Sequence, residues 1–400
     1  MPMRRLRTGL ALAAAVVVAL AGLTGAAAPE ATSAATPAAT PADDYRWALP
    51  DWMPRPVVPA DNPMSAAKAE LGRHLFYDKR LSADGSIACA SCHLQARAFT
   101  DGRQLPLGVH GTPGVRNAMS LGNVAYLPVL TWANPNLKRL ERQLLVPLFG
   151  ETPVEMGMAG QEARLLDTLR ADPRYPALFR AAYPERAGTP DLVSLATISR
   201  ALATFERTLL SFDAPYDRYK YGGRPDAISA SAKRGEALFF SERLECAHCH
   251  GGFNFTDNNL HARLADAESG FHNTGLYNRD GHGGYPAGNH GLREFTGDPA
   301  DEGRMRTPSL RNVAVTAPYM HDGSIATLRE VLRDHYAIQG RAASGPHGPS
   351  PLRSEFIEGF TLSAQELDDV VAFLEALTDH GFLTDPRLAD PWPAGGAAAR

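Results

Sequence analysis

The chain has few cysteines, little excess charge and no long apolar run. Only four cysteines occur among its 400 residues, so cysteine chemistry is confined to four positions. The 40 basic residues nearly balance the 44 acidic ones, for a net charge of -4, which indicates neither a nucleic-acid partner nor a polybasic membrane anchor. The apolar run from Leu10 to Leu23 is shorter than the roughly 20 residues that a stable membrane span needs. No stretch sustains the alternation of apolar and polar residues that an extended sheet requires.

The first residues are typical of an export signal. Arg4, Arg5 and Arg7 precede the apolar run, and small residues follow it at positions 25–28. We interpret residues 1–28 as a secretory signal peptide, with an uncleaved anchor as the alternative. Residues 29–44 are rich in Ala, Pro and Thr and cannot bury an apolar face, so they are expected to form a disordered linker. We therefore expect an exported protein, periplasmic or extracytoplasmic.

All four cysteines belong to two short runs of one pattern. These runs are Cys89-Ala-Ser-Cys92-His93 and Cys246-Ala-His-Cys249-His250. In such a run the two thiols can form thioethers to the vinyl groups of a haem, and the next residue supplies the proximal imidazole ligand of the iron. Zinc sites and redox dithiols also use paired cysteines, but neither needs an adjacent His in both copies. The runs predict two covalently bound haem c groups.

The length after the linker predicts two domains. About 350 residues remain, which is more than one core usually holds. We place a first haem domain at 45–215 and a second at 216–380, and leave the tail 381–400 without a role. Predicted helices run from about Ser65 to Tyr77, from a Thr189-Pro190 start, and from a capping box formed by Ser363 and Glu366.

Other parts of the chain favour irregular structure. Residues 251–304 are rich in Gly, Asn and Asp and are expected to form a long loop that packs on a haem. The two haem runs, each preceded by Leu-Phe, are the one internal repeat that we identify in the sequence. The expected fold is mainly α, with two cytochrome c-like haem domains and long irregular loops.

Three stretches of sequence resemble one bacterial family. Residues 71–93, 152–157 and 306–324 are similar to the di-haem cytochrome c peroxidases and MauG, and the resemblance extends from about Tyr45 to His380. Residues 130–157, 245–264 and 271–278 also resemble the methanobactin-associated, MbnH-like subgroup. The resemblance implies a peroxide-reactive first haem and a second haem, with two protein ligands, that transfers electrons.

The resemblance also assigns roles around the first haem. Glu155 is implied as the acid-base group of the distal pocket, beside Gln143 and Pro147, although by itself a Glu is usually a surface carboxylate. Two extra residues separate Gln143 from Glu155 relative to the family pattern. Trp132 is implied as an electron relay between the two irons, while a large core residue is the alternative. His110 corresponds to a loop ligand of the first iron in some members, with a solvent-facing His as the alternative.

Further ligands are implied at the second haem and between the domains. Tyr336 is implied as the distal ligand of the second iron, with His335 as the alternative and a structural Tyr as the other possibility. Met305 and Met320 are remaining candidates that core packing explains better. Asn117, Thr316 and Pro318 match positions that hold a calcium ion at the domain interface, the last two through their carbonyl oxygens.

Three functions remain open at this point. In the first, hydrogen peroxide drives the di-haem unit to a high-valent state that oxidises a Trp or Tyr of a partner, expected to be a copper-associated exported protein. In the second, a conventional cytochrome c peroxidase reduces hydrogen peroxide to water with electrons from a small cytochrome c or cupredoxin. The third is a non-enzymatic di-haem electron carrier. This choice rests on analogy, because one fold hosts several chemistries.

Overall fold

The helices are mostly short and are joined by long irregular segments. The structure is a computed structural model that describes residues 45–264, 266–267 and 269–392, so the predicted signal peptide and linker lie outside the described residues. The α-helices are α1 Ala66–Phe76, α2 Cys89–Cys92, α3 Leu140–Gln143, α4 Leu145–Phe149, α5 Glu162–Ala171, α6 Tyr175–Ala182, α7 Leu195–Glu206, α8 Pro215–Lys220, α9 Ala230–Phe239, α10 Cys246–Cys249, α11 Arg293–Thr296, α12 Leu328–Asp334, α13 Ala364–Glu375 and α14 His380–Thr384.

Regular structure other than α-helix is limited in the described residues. Two strands, β1 Phe271–Asn273 and β2 Arg304–Arg306, pair antiparallel with Phe271 opposite Arg306. Single 3₁₀ turns lie at Lys79–Leu81, Gln95–Arg97, Val109–Gly111, Val124–Tyr126, Pro184–Arg186, Pro299–Asp301, Val313–Val315, Tyr336–Ile338 and Arg341–Ser344. The expected mainly helical fold with long loops is confirmed, and the described residues between 251 and 304 are largely irregular as expected.

Two helix pairs of the same design organise the chain. Helix α1 crosses α7, and α9 crosses α13, with a glycine at each crossing. A Cβ on Gly72 would lie 2.0 Å from the carbonyl oxygen of Ala201, and a Cβ on Gly235 would lie 1.9 Å from that of Asp369. Real Cβ atoms do not approach a backbone oxygen so closely. Glycine is therefore required for both helix pairs to pack at this distance.

Each helix pair has its own hydrophobic core. The first core includes Leu75 of α1 and Phe205 of α7, and the second includes Phe239 of α9 and Phe373 of α13. The first core also takes in Phe382 and Leu388 from the tail, for which the sequence indicated no role. The hydroxyl of Tyr77 donates to the carbonyl oxygen of Leu388 at 2.7 Å, so the described part of the tail packs against the first half.

Two of the three predicted helix starts are confirmed. Helix α1 begins after the N-cap Ser65, and α13 begins after a reciprocal capping box of Ser363 and Glu366. The predicted start at Thr189-Pro190 is wrong. Helix α7 begins at Leu195, because the Ser194 hydroxyl accepts the Thr197 N–H while the Thr197 hydroxyl accepts the Ser194 N–H. Two orphan N–H groups are satisfied there, which stabilises this start over the earlier one.

The sequence contains a second internal repeat, in addition to the two haem runs. Residues 120–125 read Ser-Leu-Gly-Asn-Val-Ala, and residues 309–314 read Ser-Leu-Arg-Asn-Val-Ala. Asn123 and Asn312 both adopt left-handed backbone conformations, with φ of 59° and 61°. The Asn123 N–H donates to Leu209 O after α7, and the Asn312 N–H donates to Leu377 O after α13. The two halves therefore share a loop connection as well as a helix pair.

No helix among the described residues is both long enough and apolar enough to cross a membrane.

Candidate haem sites

Both CxxCH runs fold in the same way. Each Cys pair occupies a single helical turn, α2 or α10, and the His follows as its C-cap. The Nδ1 of His93 lies 2.7 Å from the Phe99 carbonyl oxygen, and the Nδ1 of His250 lies 3.0 Å from that of Phe255. A carbonyl can only accept a hydrogen bond, so Nδ1 carries the proton and the Nε2 lone pair remains for a metal.

The electrostatic surroundings agree with this assignment. Burial lowers the pKa of His93 and of His250, so both imidazoles are neutral. Phe99 and Phe255 adopt positive φ angles of 62° and 50°, which turn their carbonyl groups back toward the imidazoles. In both runs, the hydrogen bond from Nδ1 to a Phe carbonyl oxygen therefore selects the same tautomer of the histidine. Both runs fit a haem whose iron takes Nε2 of the histidine.

A cavity of about 230 Å³ adjoins the second run. Its walls are mostly apolar, which suits a porphyrin ring. The cavity brings together many of the predicted site residues, namely Cys246, Cys249, His250, Trp132, Tyr336, Asn117, Thr316, Pro318, Met305 and Met320.

Tyr336 and His335 point in different directions. Tyr336 lines the cavity, where burial raises the pKa of its hydroxyl and the charges of Cys249 and Cys246 add to that effect. The Nδ1 of His335 accepts the backbone N–H of Arg341 at 2.8 Å, so the proton of this neutral imidazole is on Nε2. Burial lowers the pKa of His335 to about 3. This geometry offers Tyr336 to the cavity and leaves His335 without a free lone pair.

Arg306 is a functional candidate that sequence reasoning did not single out. It lines the cavity with only 2% of its surface exposed, and burial lowers its pKa to about 10. It donates to the carbonyl oxygens of Thr131 and Thr307, and none of the described carboxylates forms an ion pair with it. A buried guanidinium is costly unless an anion accompanies it. Haem propionates are such anions, so Arg306 fits a haem in this cavity.

Trp132 connects the two halves of the chain. Its Nε1 donates to the Asn117 carbonyl oxygen at 2.8 Å, and its own carbonyl accepts the Arg306 N–H at 2.7 Å. Its ring centroid lies 6.4 Å from that of His321, whose ring is 6.0 Å from that of Tyr285. The indole therefore lines the cavity of the second run while it is anchored on a segment of the first half.

Two histidines near the cavity were also missed from the sequence. His321 is 3% exposed, its Nε2 has no partner among the described residues, and burial lowers its pKa to about 4. His272 has its Nε2 2.6 Å from a carboxylate oxygen of Asp257, which raises the pKa of His272 to about 10. His321 lies in the family-like segment 306–324 and His272 in 271–278. No local pattern distinguishes them from structural histidines.

Glu155 lies close to the first run. The Met156 N–H donates to the Pro147 carbonyl oxygen at 2.9 Å, which holds the Glu155 segment beside α4. Burial raises the pKa of Glu155, and none of the described cations forms an ion pair with it. Burial also raises the pKa of Cys92 to about 12, and the charges of Asp101 and Glu155 add to this shift. Pro147 and Glu155 are thus brought together near the first haem run.

Gln143 is less closely tied to this pocket. It is the last residue of α3 and is half-buried, and its side chain makes no hydrogen bond to the described residues. The contacts that join Pro147 to the Glu155 segment do not include it. Its role therefore stays a prediction.

His110 lies at the rim of the first site. The Val109 N–H donates to the Glu155 carbonyl oxygen at 2.7 Å, so this loop packs on the Glu155 segment. The imidazole is nevertheless 74% exposed, with its Nδ1 3.5 Å from a carboxylate oxygen of Asp84. An open pocket of about 390 Å³ is lined by both His110 and Cys92. In this structure His110 faces solvent at the mouth of that pocket.

The predicted calcium residues border the same cavity. The Asn117 side-chain NH₂ donates to the carbonyl oxygens of Arg103 and Gln104, at 2.8 and 3.3 Å, so its Oδ1 points the other way. The carbonyl oxygens of Thr316 and Pro318 accept no backbone hydrogen bond from the described residues. All three residues line the cavity of the second run. Calcium is bound by oxygen atoms of this kind, and the assignment of these three residues to a calcium ion stays a prediction.

Comparison with known families matches both halves. Residues 66–225 match the family model described as di-haem cytochrome c peroxidase, and residues 232–378 match that described as cytochrome c. The chain is 35% identical over 362 residues to cytochrome-c peroxidase IdrP1 of Denitromonas iodatirespirans, covering 84% of this chain and 87% of the relative. It is also 35% identical over 337 residues to methylamine utilization protein MauG of Methylophilus methylotrophus, covering 83% and 88%.

One solved structure is similar over nearly all of its length. It is a MauG-like protein associated with microbial copper homeostasis, which is 50% identical and has a TM-score of 0.83, covering 87% of this chain and 99% of that one. The resemblance and the two cytochrome c-like halves expected from the sequence are thereby confirmed. The chain belongs to the di-haem cytochrome c peroxidase and MauG family, and it is a c-type di-haem peroxidase with two haem c sites.

Proposed function

We propose that this enzyme uses hydrogen peroxide to oxidise an aromatic side chain of a partner protein, as a MauG-type, MbnH-like oxidase. The observation that carries the proposal is the placement of Tyr336 in the cavity of the second run, with His335 held outside it by Arg341. A phenolate is a hard anionic ligand that stabilises oxidised iron and so favours withdrawal of electrons from a partner. The 50% identity to a MauG-like protein over nearly the whole chain supports the same function.

The two halves divide the work in this proposal. Residues 45–215 form the peroxide-reactive domain, and residues 216–380 form the electron-transfer domain. His93 and His250 would hold the two irons through Nε2, and Arg306 would pair with the propionates of the second haem. When bound, haem supplies the iron chemistry that cleaves peroxide and stores oxidising equivalents.

Glu155 is the proposed acid-base group. Its carboxylate takes a proton from one peroxide oxygen and returns it to the other, which becomes the leaving group. Such a group works best when its pKa lies near the working pH, and burial shifts the pKa of Glu155 in that direction. Pro147 shapes the wall beside it, and Gln143 is proposed to orient peroxide from the end of α3.

Trp132 is the proposed relay between the haems. Its indole lines the cavity of the second haem and is hydrogen-bonded to the Asn117 carbonyl of the first half. An electron leaving one haem site for the other can therefore pass through an oxidisable ring in contact with both halves. Asn117, Thr316 and Pro318 are proposed to hold a calcium ion beside it, which would fix the spacing of the halves.

The partner is proposed to be a small exported protein that handles copper. The similar MauG-like structure is described as associated with microbial copper homeostasis, and the N-terminal residues of this chain are typical of an export signal. A Trp or Tyr of that partner is the proposed substrate. We propose that both proteins meet in the periplasm or outside the cytoplasmic membrane.

A conventional peroxidase that reduces hydrogen peroxide with electrons from a cytochrome c or cupredoxin is the second candidate. It is favoured by the relative named cytochrome-c peroxidase IdrP1, whose 35% identity equals that of MauG. The packing of the His110 loop on the Glu155 segment would let His110 reach the first iron after a local rearrangement. The electron carrier has no support from the relatives, which are named as peroxidases or as MauG.

The test is EPR of the resting ferric holoenzyme before and after hydrogen peroxide, with no reductant. A MauG-type oxidase should show one high-spin and one low-spin haem, and peroxide should remove both signals. Tyr336→Phe should change the low-spin signal. The matched control is Tyr319→Phe, which removes a hydroxyl from the same cavity wall and should leave that signal unchanged.

Other outcomes would contradict the proposal. Two low-spin haems that ignore peroxide until one electron is added would favour the conventional peroxidase, with His110 on the first iron. An unchanged low-spin signal in Tyr336→Phe would remove Tyr336 as the ligand. Metal analysis before and after treatment with a calcium chelator tests the ion separately.

A further inference from the structure

The internal repeat allows the two haem surroundings to be compared position by position. Ala201 of α7 corresponds to Asp369 of α13, because each contacts the crossing glycine of its own helix pair. Leu209 corresponds to Leu377, because each accepts the N–H of the left-handed asparagine of its own half. Both correspondences have the same offset of 168 positions. On this register Glu206 occupies the position of Leu374. Leu374 lines the cavity of the second haem.

Glu206 is buried without the partners that a carboxylate normally needs. It is only 3% exposed, and its Oε2 is buried without a hydrogen-bond partner among the described residues. The neighbouring Arg207 pairs with Glu141 at 2.8 Å and forms no ion pair with Glu206. Among charged groups Glu206 contributes most to the raised pKa of the Cys89 thiol, ahead of Cys92 and Glu155. The Glu206 carboxyl group is therefore within electrostatic reach of Cys89, and its register with the cavity-lining Leu374 assigns it to the surroundings of the first haem.

We propose that Glu206 is the proton-holding group of the first haem, taking up one proton when that iron is reduced and releasing it when the iron is oxidised. When haem is bound, its ferric iron would gain one electron from the enzyme's donor while the Glu206 carboxylate gains one proton from solvent, so the total charge of the site would be conserved. Glu206 acts by compensating the charge of the iron, and this role requires no contact with peroxide. The inference rests on the proposed function only in identifying the first haem as the reactive one.

The charges around Glu206 support this role. Burial raises its pKa to about 8, while the charge of Arg207 lowers it and that of Glu141 raises it. Reduction removes one positive charge from the iron, which favours the protonated carboxyl further. Leu374 gives the second haem no equivalent group. Electron transfer at the first haem is therefore expected to depend on pH, while the corresponding position at the second haem contributes no such dependence.

The experiment is a spectroelectrochemical titration of the holoenzyme from pH 5 to pH 9. A one-electron couple that takes up one proton changes its equilibrium tenfold per pH unit, or about 59 mV. The first haem of the wild type should approach this slope toward neutral and mildly alkaline pH. Glu206→Gln should flatten it and raise the potential at alkaline pH. Glu141→Gln is the matched control. It should keep the dependence of the potential on pH but move it to lower pH, because the charge of Glu141 raises the pKa of Glu206.

An infrared difference spectrum of the wild type on reduction gives a second readout without any variant. A new band of a protonated carboxylic acid is expected, and it should vanish in Glu206→Gln. A flat wild-type potential, a slope that survives in Glu206→Gln, or the absence of the carboxylic acid band would each overturn the inference. Neither measurement uses peroxide or a partner protein, so its failure is distinct from failure of the proposed oxidase activity.

Discussion

The two halves of this enzyme share one scaffold and differ in the side chains that surround the haem sites. Both have a helix pair crossing at a glycine, a one-turn CxxCH helix and an imidazole bonded to a Phe carbonyl. The first half adds two carboxyl groups, the half-buried Glu155 and the buried Glu206, without ion-pair partners among the described residues. The second half has a Tyr, an Arg and a Leu in its cavity. The two halves therefore share the backbone features used for haem attachment. They differ in a few side chains, which are expected to give the two haem sites different chemical roles.

The largest effect is expected from Glu155, the proposed acid-base group of the first half. Glu155→Gln should lower kcat for peroxide consumption by about 10² to 10⁴, because general acid-base groups contribute that much. Stopped-flow kinetics of the holoenzyme with peroxide would measure it. Glu151→Gln, an exposed carboxyl in the same loop, should behave as wild type. Equal rates for both variants would exclude the acid-base role.

The crossing glycines test whether the two scaffolds are equivalent. Gly72→Ala and Gly235→Ala should each destabilise the protein by roughly 1–3 kcal/mol or more, since the new methyl group overlaps a backbone oxygen. Urea unfolding followed at the haem absorbance measures the loss. Gly381→Ala is the control, because its Cβ would come no closer than 3.3 Å to a neighbour. A neutral Gly72→Ala would show that the first crossing is loose.

The buried acid of the first half should also make stability depend on pH. The pKa of Glu206 is about 8 in the folded protein and 4.5 in the reference state, so between these values the folded state binds more protons. Stability should fall as pH rises through this window, by at most about 1.4 kcal/mol per pH unit. Urea unfolding of Glu206→Gln at several pH values should lack this part of the decline. An identical pH profile for both proteins would show that Glu206 does not titrate in the folded state.

Helix capping gives the smallest expected effect. Ser194→Ala and Ser363→Ala each remove a hydroxyl that accepts an N–H at the start of α7 or α13, and each should cost about 1 kcal/mol. Thr189→Ala should cost less, since α7 does not start there. Thermal unfolding of the three variants measures the order. A larger loss for Thr189→Ala would contradict the observed helix start.

Short sequence patterns predicted the haem attachment sites and most of the helix starts, because these features depend on residues close together in the chain. The CxxCH runs required no tertiary information, and the start of α13 followed from a capping box within four residues. The start of α7 was misplaced because Thr189-Pro190 and Ser194 both offer caps. The reciprocal bonds with Thr197 favour the later one.

Other site residues could not be predicted from residue type. Arg306 and Glu206 look like ordinary surface charges in the sequence, yet both are almost fully buried. His335 and Tyr336 are adjacent, so counting residues could not choose between them. Their directions are set by the 3₁₀ turn that follows α12 and by the Arg341 N–H.

The sequence by itself determined the attachment chemistry, the helical class and the membership of the family, because these depend on short patterns of residues. The tertiary structure alone decided which side chains meet at each haem site. Burial and the absence of a partner are properties of the surroundings of a side chain, and those surroundings come from segments far apart in the chain. Glu206 and Leu374 show this most clearly, since equivalent positions on equivalent helices carry a carboxyl group in one half and a hydrocarbon in the other.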